Sequence, residues 1–274
     1  MRALESNVGI HARAQVHPTA IIAEGAVIGA ECVVGPYSTV GPDVVLGEGC
    51  ELVSHVVLDG HTTFGKANKI WSFACLGIAP QDLKYAGEPT RLEVGDNNQI
   101  REYVTISRGT AGGGGTTKIG NGCLIMAYVH IGHDSLIGNG CILPNGATLA
   151  GHVTVEDYAT LSANAPVHQF CTIGRYAYIG GGTTITQDVM PYSLTSVERD
   201  NHAYGINKVG LARKGFTPEQ LRELTTAMRL LTSGKLNTTQ ALEEINDMIE
   251  SGDGGEHVRY LAEFVKNSER GVVK

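Results

Sequence analysis

Counting in sixes from Ile10 lands on Val16, Ile22, Ile28, Val34, Val40, Leu46, Leu52, Leu58, Phe64, Ile70 and Leu76, twelve large apolar residues without a gap. A second register starts at Ile119 and passes through Ile125, Ile131, Ile137, Leu143, Leu149, Val155, Leu161, Val167, Ile173, Ile179 and Ile185. Val94, Ile100 and Ile106 form a shorter run between them. A period of six belongs neither to a helix nor to a simple alternating strand. It fits a parallel β-helix in which each hexapeptide supplies one short strand and one turn. Three such units close a coil of 18 residues, and coils stack at about 4.8 Å, the spacing of neighbouring strands. Glycine often follows the aliphatic, as in "VVGPYS" and "VLGEGC", where it suits a turn.

Composition agrees with thin, regular core layers. Aromatic residues make up only 6% of the 274 residues, while glycines number 36. Cys32/Cys50 and Cys123/Cys141 are each one coil apart, two positions before a large aliphatic, where the prism needs a small core residue. The chain's six cysteines contain no CxxC pair, so they read as buried thiols rather than a zinc site or disulfides. The formal charge of −7 argues against nucleic acid and anionic membranes as partners. No stretch reads as a signal peptide or a membrane span, so a cytoplasmic protein is expected.

Two segments break the period, at 78–91 and 109–117, and must leave the prism as loops. The second, "GTAGGGGTT", reads first as a flexible connector; it lacks the lysine of a phosphate-binding loop. After residue 195 the pattern turns helical. Thr217 is placed to cap a helix, with Pro218 at its first position and Gln220 closing a capping box. Two more amphipathic helices follow in "NTTQALEEINDMIESG" and "GEHVRYLAEFVKNSERG". The expected organisation is a hexapeptide β-helix over 1–195 and a small α-helical domain over 196–274.

Folding the sequence on an 18-residue coil places His133, His152 and His168 at nearly one corner on three successive coils, with His130 slightly earlier on the first. A lone histidine is usually structural, but three that converge suggest proton transfer or metal binding. Zinc enzymes built on such prisms use two histidines separated by four residues, and no HxxxxH occurs here. Asp134 directly follows His133, as an orienting acid does beside a catalytic base. Acyl transfer is therefore the favoured chemistry.

The motifs "QDLKYAGEPTR", "IREYVTISRGT", "VHIGHD", "ATLAGHV", "VHQFCTIG" and "GINKVGLARKGF" together resemble the UDP-N-acetylglucosamine O-acyltransferases, in order from about residue 14 to the C-terminus. The resemblance implies a left-handed β-helix, a homotrimer with active sites between subunits, and no cofactor or metal. It implies transfer of an R-3-hydroxyacyl chain from acyl carrier protein to the glucosamine 3-hydroxyl of UDP-N-acetylglucosamine, the first step of lipid A biosynthesis. On that likeness His133 is the general base, Asp134 its acid partner, and Gly151 an oxyanion donor. Gln81, Asp82, Lys84, His130, His152, His168 and Gln169 match substrate-contacting positions, and Asn207, Arg213 and Lys214 match a nucleotide and diphosphate segment. Tyr178 and Gly181 match positions that gauge acyl length. Lys214 stands where a second arginine is common, which keeps the charge but loses the bidentate fork. Val209 replaces an acid found in some members.

Three other readings remain open to the sequence. One is the N-acyltransferase of the same pathway or an acyltransferase preferring a 3-amino sugar; "QDLKYAGEPT" and the short helical domain argue against the former. The others are a metal-dependent hydratase and a non-catalytic solenoid.

Overall fold

Nearly every member of the six-residue register sits in a short strand with its side chain turned inward, and from Ile22 onward all of them are buried. The computed structural model describes residues 9–198 and 200–274. The strands line up in three parallel sheets, which are the faces of a left-handed prism. The first face has nine strands, beginning at Gly9–Ile10. The second has seven, beginning at Gln15–Val16, and the third eight, beginning at Ile21–Ile22. Val27 pairs with Val45, one 18-residue coil later, as the spacing requires. Each inward aliphatic therefore stacks on its counterpart above and below, and the core is one continuous column.

The two irregular segments appear in the pairing. Phe64 lies beside Val94, 30 residues on, and Val94 beside Ile119, 25 on. The first excursion leaves from the strand Cys75–Ile78 on the third face and returns at Arg91–Val94 on the first. The second leaves from Thr105–Ser107 on the third face and returns at Thr116–Ile119 on the first. Both emerge at the same corner.

Glycine plays a different part from the one expected of it. Glycines that follow the aliphatic, such as Gly35, have ordinary backbone angles; they are there because a Cβ would meet the next coil. At Gly35 that atom would come within 1.8 Å of the Val53 carbonyl oxygen. The left-handed turn positions are instead often filled by large residues. Tyr37, His55, Phe73, Tyr103 and Tyr128 all have φ between 51° and 64° and stack as a ladder, centroids 4.9–5.0 Å apart, along the corner between second and third faces. Holding a side chain in that conformation costs roughly 1–2 kcal/mol. Each stacked pair returns about 0.5–1.5 kcal/mol, so the ladder largely offsets its own strain.

The prism closes with a strand Tyr178–Ile179, against which a hairpin of Ser193–Glu198 and Asp200–Ile206 packs. The expected boundary at residue 195 falls inside this hairpin, which the sequence reading did not foresee. Four helices follow: α1 (Lys208–Arg213), α2 (Pro218–Thr232), α3 (Thr238–Glu250) and α4 (Glu256–Asn267). The capping box of Thr217 and Gln220 at the start of α2 is formed as read. Short α1 was not expected. Leu224, Met228, Ile245 and Leu261 bring α2, α3 and α4 into a second core with Tyr192. Tyr260 on α4 is hydrogen-bonded to Glu156 and lies under the Arg175 guanidinium, 3.2 Å from the ring centre, which ties the helices to the prism. No helix among the described residues is long and apolar enough to cross a membrane. All six cysteines are free, and all but Cys75 are buried.

Candidate active site

The corner from which both excursions emerge also carries the histidines. His133 follows the strand His130–Ile131, and His152 follows Thr148–Leu149 directly above it. The backbone N–H of His152 donates to the His133 carbonyl at 2.9 Å, so the coil stacking itself fixes the two rings. Their centroids are 5.1 Å apart in an edge-to-face arrangement.

Asp134 adopts φ of 59° at the turn, which swings its carboxylate under the glycine-rich excursion. The side chain is completely buried. Its Oδ1 accepts from the Thr110 N–H at 2.9 Å, and its Oδ2 from the Thr110 hydroxyl at 2.6 Å. Oδ2 also lies 2.8 Å from His133 Nδ1. A carboxylate can only accept, so Nδ1 is the donor, and the neutral form of the ring would carry its lone pair on Nε2. The expectation of a flexible connector at 109–117 is thus overturned. The segment folds over the acid, with a short 3-10 turn, Ala111–Gly113, capped by Thr110.

Gly151 has no side chain because the His133 ring occupies that space; a Cβ there would come within 2.6 Å of Cε1. Among the described residues its N–H reaches no protein acceptor. His130 lies on the strand that leads into His133, with Nδ1 2.8 Å from the hydroxyl of Thr105 on the neighbouring strand. Burial, and secondarily the nearby His133, lower its pKa and favour the neutral ring.

Asp82 and Lys84 come from the first excursion and meet His152 across a cavity of about 480 Å³, also lined by Tyr85, Thr110 and Phe170. Phe170 is the member that sequence reasoning missed. It stacks on His152 at 4.4 Å and shares the left-handed turn position of Asp134 and His152, 18 residues apart in each step. That arithmetic was available in the sequence, but only the histidines were folded through it. His168 shares the corner yet is exposed, its Nδ1 3.0 Å from the neighbouring Gln169 carbonyl. Gln81 and Gln169 are also exposed at this corner.

Other expected site residues lie elsewhere on the chain. Tyr178 points outward from the second face, its hydroxyl 3.1 Å from that of Ser162, and Gly181 follows at the next corner. Asn207 caps α1 through the Gly210 N–H and donates to the Tyr176 carbonyl. Lys214 ends α1 with its ammonium 4.6 Å from the Tyr158 ring centre, and Arg213 beside it is exposed. A single chain therefore gathers the histidines with Asp82 and Lys84, but not with these. A concavity of about 730 Å³ lies on the first face beneath Tyr260 and holds none of the expected residues.

His133, Asp134 and His152 have donor atoms within 4.8 Å of one another, a spacing that a metal ion tolerates. The Asp134 oxygens, however, are already engaged by Thr110 and His133. A base with an oriented ring, a buried acid and an open cavity fits proton abstraction from a substrate hydroxyl.

Comparison with known proteins gives the family. The family described as "Udp N-acetylglucosamine O-acyltransferase; Domain 2" matches residues 188–273, and bacterial transferase hexapeptide repeats match 25–60 and 116–151. The UDP-N-acetylglucosamine acyltransferase of Francisella novicida is 38% identical, with 96% of this chain and 93% of that one aligned and a TM-score of 0.84. The Campylobacter jejuni enzyme is 34% identical over 95% of this chain and all of the other, with a TM-score of 0.88. The Arabidopsis enzyme is 35% identical over 97% of this chain and all of the other, with a TM-score of 0.80. Similar in sequence and fold to these proteins along nearly their whole length, the chain belongs to the UDP-N-acetylglucosamine acyltransferase family and is an acyltransferase.

Proposed function

We propose that the protein moves an R-3-hydroxyacyl chain from acyl carrier protein to the 3-hydroxyl of UDP-N-acetylglucosamine, the first step of lipid A biosynthesis, in the cytoplasm. The observation that carries the reading is the His133–Asp134 pair, 2.8 Å apart, beside the cavity bounded by Asp82 and Lys84. His133 Nε2 takes the proton of the sugar hydroxyl as its oxygen attacks the thioester carbonyl. The tetrahedral oxyanion accepts the Gly151 N–H, and collapse expels the phosphopantetheine thiolate, which recovers the proton from the imidazolium. Asp134 stabilises that imidazolium and holds the ring. Asp82 binds the sugar, and Lys84 lies by the acyl thioester. His130, His152, His168, Gln81 and Gln169 shape or contact the sugar nucleotide. The thioester is already activated, so the reaction needs no metal or cofactor.

The active form on this reading is a homotrimer with sites shared between copies. Tyr178 and Gly181, which would gauge acyl length, and Asn207, Arg213 and Lys214, which would hold the nucleotide diphosphate, lie at other corners of the same chain. A neighbouring copy supplies them. The third face suits such contact, because Ile21, Thr39, Val57, Cys75, Thr105 and His130 line it with no carboxylate or ammonium. The other faces carry exposed pairs such as Glu51–Lys69 and Glu93–Lys118.

The test is mass spectrometry of products from a panel of hydroxyacyl carrier proteins offered with UDP-N-acetylglucosamine, its 3-amino analogue, and the O-acylated, deacetylated sugar. Ester formation on UDP-N-acetylglucosamine supports the reading. Product only from one of the other acceptors would replace it.

A further inference from the structure

The glycine-rich excursion is moulded around one carboxylate. Thr110 reaches both oxygens of Asp134, one through its N–H and one through its hydroxyl, while Thr110 Oγ1 accepts from the Gly113 N–H at 3.2 Å. Thr117, where the excursion rejoins the prism, accepts from the Asp134 N–H at 2.8 Å. A Cβ on Gly113 would come within 2.1 Å of the Asp134 carboxyl carbon, and one on Gly109 within 2.8 Å of Oδ1. Glycine at these two places lets the loop close over the acid.

The arrangement matters because Oδ2 faces two imidazoles. His133 Nδ1 lies at 2.8 Å and His152 Nε2 at 3.9 Å from the same oxygen. A carboxylate free to rotate about its last bond would divide its acceptance between them. Two donors from one residue, on different oxygens, fix its plane, and the plane selects His133.

We propose that Thr110 is a positioning residue for acyl transfer: its hydroxyl and amide lock the Asp134 carboxylate toward His133 and away from His152, which sets the ring angle and tautomer of the base. The proposal rests on the reading of His133 as that base. Thr110 acts through Asp134 and does not itself contact the reacting atoms.

The experiment compares Thr110→Val, Thr110→Ser and Asp134→Ala with the double variant, using UDP-N-acetylglucosamine and hydroxyacyl carrier protein, with folding checked by thermal melts. Valine keeps the shape and the amide but removes the hydroxyl. It lowers kcat about ten- to a hundredfold, the scale of one hydrogen bond to a charged group, with KM for both substrates within about twofold. Serine restores kcat to within about threefold of the parent. In the Asp134→Ala background the valine substitution costs nothing more, because the partner is gone.

A folded Thr110→Val protein with parental kcat overturns the proposal. So does a valine loss that serine fails to restore, or one that adds in full to that of Asp134→Ala. His133→Ala, measured alongside, separates the two levels. If it is inactive while Thr110→Val is unaffected, only the positioning role falls. If it remains active, the reading of His133 falls, and this proposal with it.

Discussion

The ring of His133 occupies the space where a side chain of Gly151 on the next coil would stand, with Cε1 2.6 Å and Nε2 2.8 Å from the position of a Cβ. On the proposed mechanism this one glycine would supply both an oxyanion donor and the clearance that the His133 ring requires. Gly151→Ala should fold, since this turn is at the surface and its backbone angles are ordinary. It should nevertheless lose activity nearly as far as His133→Ala, for which a loss of at least about a hundredfold is expected. Steady-state rates with matched melting curves check both. Near-parental turnover in a folded His133→Ala protein would remove the mechanism.

Assembly is the second prediction. Sedimentation at micromolar concentration should find a stable trimer, because on the proposed reading the residues that gauge acyl length and hold the diphosphate reach the histidine corner from a neighbouring copy. An active monomer would refute the shared cleft.

A third concerns docking of the acyl carrier protein, which is acidic, as is this chain at a formal charge of −7. Capture then depends on a local basic cluster, and Lys208, Arg213 and Lys214 are all exposed on α1 and its C-terminal end. Lys208→Glu should slow turnover at limiting carrier protein, with an effect that fades as salt rises. An acid in the first turn favours the helix, so a loss would not come from unfolding α1. An unchanged rate at low salt would move the docking surface elsewhere.

Stability should fall on the acid side of neutrality. Burial lowers the pKa of His257, which sits against Phe216 at 4.5 Å, and likewise that of His130. The unfolded chain therefore takes up protons before the folded one does. The contribution of the neutral rings is complete above about pH 6.5, the ordinary histidine value, and is lost as pH falls from there toward the lowered folded values. Melting temperatures measured from pH 7.5 to 5 should decline, and His257→Leu should flatten part of that slope. A variant as acid-sensitive as its parent would show that His257 does not contribute.

Much of the fold was legible because the prism is periodic. The inward aliphatics, the coil length, the stacked small cysteines and the Thr217–Gln220 cap are local or repeat-wise signals that a sequence displays directly. The hairpin from 193 to 206 was not, since "SLTSVE" has no clear alternation and pairs partly with a strand already read as prism. Of the site, His133 and His152 were found by phase and Asp134 as the acid next to His133, while Phe170 was open to the same count. Thr110 was not. It meets Asp134 across 24 residues and an out-of-phase loop, and nothing in "GTAGGGGTT" tells a clasp from a linker.

The common corner of the two excursions separates length from phase. A chain that leaves the prism and returns at one corner can gain or lose residues inside either loop, and every later side chain keeps its place. One residue inserted in any other turn would rotate all that follow, taking His133 off its corner and pushing aliphatics into water. Relatives of this protein should therefore vary freely in the number of residues before the histidine that corresponds to His133, yet agree in its angular position, as the teeth of a gear keep their pitch whatever the length of the shaft.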